Sequence, residues 1–167
     1  MNDSGFSLAN IQSINPSTGF QFNKVVLKIK RVQDRGDSAN LNLSLFANIS
    51  SSSQDQPDFN NLISSADISG IVGNPENQDL TFSFLAPISL TSGVKYWFAL
   101  EISGYSFNSY DAWVGNAFQN AVSNSDVYLN GDSGQVPLHN YPSSYYLNDQ
   151  VSIYQNQDWY MKIGLGL

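Results

Sequence analysis

Strict alternation of apolar and polar residues, repeated along the chain, limits what this sequence can fold into. In "KVVLKIKRV" (24–32), Val25, Leu27 and Ile29 fall on one parity, and Lys24, Val26, Lys28 and Lys30 on the other. In "LNLSLFANI" (41–49), Leu41, Leu43 and Leu45 share a face with Asn42 and Ser44 opposite. "VKYWFALEIS" (94–103) repeats the pattern with Tyr96, Phe98, Leu100 and Ile102. Successive side chains of a strand point to opposite faces, so a period of two marks a half-buried strand, whereas an amphipathic helix repeats at three and four. "FQF", "LTFSFLAPI", "YDAWVG", "DVYLNG", "QVSIY" and "WYMKIGLGL" continue the series, with Gly, Pro, Asn, Asp and Ser between them. The expectation is an all-β, antiparallel, jelly-roll-like sandwich of about eight strands. One short turn of helix is expected in "PDFNNLISSADI" (57–68), and the polar runs 51–58 and 72–79 read as loops.

At 167 residues the chain has the size of a single domain, 1–167, able to bury its own core. The formal charge is −7, and five of the seven basic residues (Lys24, Lys28, Lys30, Arg31, Arg35) crowd into one segment. Nucleic-acid binding requires cations against phosphate, and this acidic balance argues against it. The basic cluster reads as the solvated face of a strand. Without cysteine, disulfides and thiolate metal sites are excluded. No apolar run reaches the length of a membrane span, and "MNDSGFSLAN" lacks the basic and apolar regions of a signal peptide.

Motifs that resemble chemistry are cheap in such a sequence. "GDSG" (131–134) offers Ser133 as a nucleophile, but the only histidine, His139, follows it by six residues, and a hairpin turn explains the motif. "RGDS" (35–38) is a turn composition, and the "NDS", "NLS" and "NIS" tripeptides arise readily in an Asn- and Ser-rich chain. Most carboxylates fall in loops. Glu101 is the exception, inside a strand on the parity of Trp97 and Ala99, a face that meets water or lines a groove. Asp126, Asn130 and Asp132 could ligate a structural calcium ion, although not with EF-hand spacing. No other cofactor is implied, and no catalytic set is assembled.

The segments "NKVVLKIKRV", "LNLSLFANIS", "LTFSFLAPISLTSGVKYWFALEISG", "SYDAWVGN" and "DWYMKIGL" together resemble the choice-of-anchor R-type jelly-roll modules of bacterial surface and phage proteins. The similarity covers most of residues 20–165 and is most specific at "PISLTSGVKYWFAL" (87–100), where Pro87 is expected to end a strand and "TSG" to make a tight turn. The resemblance implies a display or adhesion module without catalytic residues. The chain departs from it in a longer segment at about 135–150, where its individual function is expected.

The candidate contact residues are Tyr110, Asp111 and Trp113, together with Tyr141, Tyr145 and Tyr146 of that segment. An aromatic ring beside a carboxylate suits the face and hydroxyls of a sugar, and tyrosine-rich loops suit binding surfaces generally. Two readings stay open. One is a non-enzymatic structural or adhesion module of a virion or cell-surface assembly, most simply a phage fibre, baseplate or head-decoration protein, contacting other subunits or a cell-surface glycan. The other is a carbohydrate-binding module of a secreted polysaccharide-degrading enzyme or bacterial surface protein.

Overall fold

The computed structural model describes residues 7–31, 39–50, 55–71, 78–103, 113–115, 133–138, 152–154 and 161–165. Among them are ten strands and no helix: β1 (Ser7–Ile14), β2 (Phe20–Arg31), β3 (Ala39–Ser50), β4 (Asp55–Ile71), β5 (Gln78–Leu90), β6 (Tyr96–Ser103), β7 (Trp113–Gly115), β8 (Ser133–Leu138), β9 (Ser152–Tyr154) and β10 (Met161–Gly164). They form a six-stranded sheet in the order β4-β3-β6-β1-β8-β9 and a four-stranded sheet in the order β10-β2-β5, with β7 also on β2. All the pairings are antiparallel.

The connectivity is a rolled-up hairpin. β1 pairs with β6 in the larger sheet, β2 with β5 in the smaller, and β3 with β4 in the larger again. Contact between β3 and β6 closes the roll. Nested pairs alternating between two sheets make the jelly-roll wrap, so the expected all-β sandwich is present. β7 and β10 follow one another along the edge of β2 that β5 leaves open, since Ile29 pairs with both Gln78 and Gly115.

The parities read from sequence fill the space between the sheets. Val25 and Leu27 of β2, Leu41, Leu43 and Leu45 of β3, and Tyr96, Phe98 and Leu100 of β6 meet Phe82, Phe84, Ile88 and Leu90 of β5 in one buried cluster, with Met161 and Ile163 of β10. At its centre the Phe22 ring stands edge-on to Phe84 (5.6 Å between centroids) and to Phe98 (6.1 Å). The "TSG" turn forms as expected. Gly93 takes a positive φ of 74°, open to glycine without strain, and its N–H donates to Pro16 O at 2.8 Å. Ser92 Oγ donates to Ser17 O at 2.7 Å, so this turn is tied to the turn between β1 and β2.

Three expectations are corrected. Residues 57–68 are not helical but lie within β4. Phe46 pairs with Leu62 and Asn48 with Pro57, so Asp58 to Asn61 bulge out opposite Ala47, and Asn60 N donates to Asp58 Oδ1 (3.2 Å) within the excursion. Pro87 does not end its strand. Lys24 pairs with Ser83 and Phe22 with Ile88, so Phe84 to Pro87 form a second bulge opposite Asn23, with Leu85 fully exposed. Finally, the polar runs 51–58 and 72–79, read as loops, run into strands, with Asp55 to Asp58 in β4 and Gln78 and Asp79 in β5.

Phe22→Ala should lower the unfolding free energy by about 3–5 kcal/mol, because it removes the ring shared by both sheets and leaves a cavity. A urea titration of both proteins measures it, and a loss below about 1 kcal/mol would mean that the site lies outside the cooperative core.

Candidate functional site

β6 is apolar on both faces. Tyr96, Phe98 and Leu100 point into the sandwich, so Trp97, Ala99 and Glu101 occupy the outer face of the six-stranded sheet. There Trp97 and Ala99 form a second buried cluster with Ile11 of β1, Phe46 of β3 and Phe59 from the β4 bulge. Phe59 folds back so that its ring meets Phe46 edge-on at 5.2 Å. The face that the sequence left between water and groove is closed at Trp97, which is 0% exposed.

The indole N–H of Trp97 starts a hydrogen-bonded chain. It donates to Asn48 Oδ1 at 2.8 Å, and Asn48 Nδ2 donates to Ser50 Oγ (3.3 Å) and Asp55 Oδ1 (3.4 Å). Ser50 Oγ donates to the same Asp55 oxygen at 2.9 Å, and Lys95 Nζ donates to Asp55 Oδ2 at 2.9 Å. The Lys95 ammonium also lies 5.9 Å from the centre of the Trp97 ring. The hydrogen bond from Lys95 holds Asp55 below its ordinary value. Bonds from Ser50 and Asn48 act in the same direction, against burial. This chain ties the β3–β4 hairpin to the start of β6.

At the other end of the same face lies a carboxyl row. Register places Asp67 of β4 beside Asn42 of β3, and Asn42 beside Glu101 of β6. Asn42 Nδ2 donates to Asp67 Oδ1 at 2.8 Å, and Asn42 Oδ1 accepts from Ser44 Oγ at 2.6 Å. Burial pushes Glu101 up from 4.5 to about 7. Glu101 can therefore gain or lose a proton near neutral pH, as buried carboxyls in working sites do.

Of the residues singled out in the sequence, Trp113 opens β7 and pairs with Arg31 of β2, which assigns it to the four-stranded sheet. Tyr110, Asp111, Tyr141, Tyr145 and Tyr146, and the calcium candidates Asp126, Asn130 and Asp132, lie outside the described residues. Asn42, Asn48, Asp55, Asp67 and Lys95 were not singled out. Only strand register brings them together. Comparison with protein-family models, curated proteins and solved structures gives no match.

Glu101 gives this face a pH signature. Its folded value lies above its unfolded one, so between about pH 4.5 and 7 the folded chain holds a proton that the unfolded chain has released, and stability falls as pH rises through that window. Glu101→Gln should remove this slope. It should be more stable than wild type above pH 7, by at most about 3 kcal/mol, and nearly equal to it below pH 4.5. Urea midpoints of the two proteins across that range provide the check. Parallel curves would show that Glu101 titrates alike in both states.

Proposed function

We propose that this chain is a non-catalytic structural or adhesion module of an extracellular assembly, and specifically a phage virion component such as a fibre, baseplate or head-decoration protein. The observation that carries this reading is how the described polar side chains are used. Trp97 bonds Asn48, Lys95 bonds Asp55, Asn42 bonds Asp67 and Gln21 bonds Ser89, each joining neighbouring strands or the turn beside them. These four bonds hold the shape of the sheets. A jelly roll fixed in this way suits a module that works by presenting surfaces, and the resemblance of residues 20–165 to display modules supports the same reading.

Light scattering behind a sizing column, on untagged protein at micromolar concentration, should give a defined oligomer. A strict monomer would count against the assembly reading. Saturable binding to a glycan, lost in Trp113→Ala or Tyr145→Ala, would assign the chain instead to the carbohydrate-binding modules.

A further inference from the structure

The two sheets divide the charged residues of the strands by sign. The strands of the six-stranded sheet carry four acidic residues, Asp55, Asp58, Asp67 and Glu101, and no basic one. Those of the four-stranded sheet carry five basic residues, Lys24, Lys28, Lys30, Arg31 and Lys162, and one acidic residue, Asp79. In a chain of net charge −7, cations are thus concentrated on one sheet. Lys95, in the turn before β6, is engaged with Asp55.

Each sign has exposed apolar side chains beside it. On the four-stranded sheet, Lys24 pairs with Ser83 and Gly164, and Val26 with Thr81 and Lys162, so Lys24 and Lys162 are diagonal neighbours over a floor of small residues. Leu85, two residues after Ser83, is fully exposed at the β5 bulge. On β4, exposed Leu62 and Ile63 lie between Asp58 and Asp67. A basic surface with an exposed leucine and an acidic one with an exposed Leu-Ile pair occupy different sheets of one molecule.

Resting on the assembly reading above, we infer that the chain docks head to tail with copies of itself, the Lys24/Lys162/Leu85 face of one copy receiving the Asp58/Asp67/Leu62 flank of the next. Opposite charges steer and register such a contact, and the leucines supply dry area at its centre. A stable contact needs roughly 800 Å² per copy. That is a small part of the 9346 Å² surface of the chain. Because the two surfaces differ, the contact is heterologous and generates a ring if the rotation closes, or a filament if it does not.

The test is charge exchange, read as native mass. At about 50 µM and about 20 mM salt the protein should be oligomeric, and at about 0.5 M salt its mass should fall at least about twofold. Lys24→Glu/Lys162→Glu and Asp58→Lys/Asp67→Lys should each be monomeric at low salt, and an equimolar mixture of the two should regain the mass, since each then offers what the other lacks. Thermal melts establish that the variants are folded. Should either fail to fold, the neutral pairs Lys24→Gln/Lys162→Gln and Asp58→Asn/Asp67→Asn replace them, with partial loss of mass expected. An oligomer indifferent to salt and to both exchanges would overturn this surface while leaving the assembly reading intact. A monomer at both salt concentrations would remove both. A monomer that binds heparin through Lys24 and Lys162 would reassign the basic face to an anionic polymer.

Discussion

The structure depends on the burial of β6 on both of its faces. An ordinary surface strand of an antiparallel sheet has one dry side and one wet side. β6 instead inserts Phe98 between the sheets and Trp97 into a cluster on the outside, both with no exposed area. It lies between β3 and β1, so it fixes the register of both ends of the rolled hairpin at once. A slip of one residue would place Glu101 in the sandwich core and Phe98 on the outer face, a doubly unfavourable exchange. Carboxyl and aromatic positions along this strand are therefore interlocked.

The parity that faces the space between the sheets was legible in the sequence. The alternation in β2, β3 and β6 correctly indicated which residues meet in the core, because a period of two converts directly into a face. It failed where that conversion fails. β1 went unrecognised because Ile11 and Ile14 fall on opposite parities, one in each buried cluster, with the polar Gln12 and Ser13 between them, so no alternation marks a single buried face. β4 resembled a helix because Phe59, Leu62, Ile63 and Ala66 recur at three and four. The bulge after Pro57 produces that spacing by resetting the parity, so that Phe59 and Ala66 are buried while Leu62 and Ile63 are exposed.

The candidate site was less legible for a related reason. Glu101 could be marked from its position within an apolar strand, but its neighbours Asn42 and Asp67 are 59 and 34 residues away in the chain and meet only through register. The division of charge between the sheets was hidden in the same way. The basic segment was visible as a run, yet nothing in the run indicates that Lys162 joins it or that the acids of β4 stand on the other sheet. Both features belong to topology, which single-strand periodicity does not encode.

The two bulges bear on how such a molecule behaves when crowded against copies of itself. Among the described residues β4 and β5 are terminal strands of their sheets, long enough to offer continuous ladders of N–H and C=O groups to any passing strand. The excursion at Asp58 to Asn61 interrupts one ladder, and the excursion ending at Pro87, which has no N–H, interrupts the other. Neither rim can therefore zip onto a neighbour along its full length, the route by which β-proteins aggregate. Along these two rims, any contact with a neighbour is left to side chains, which can be specific, rather than to a continuous backbone ladder, which cannot.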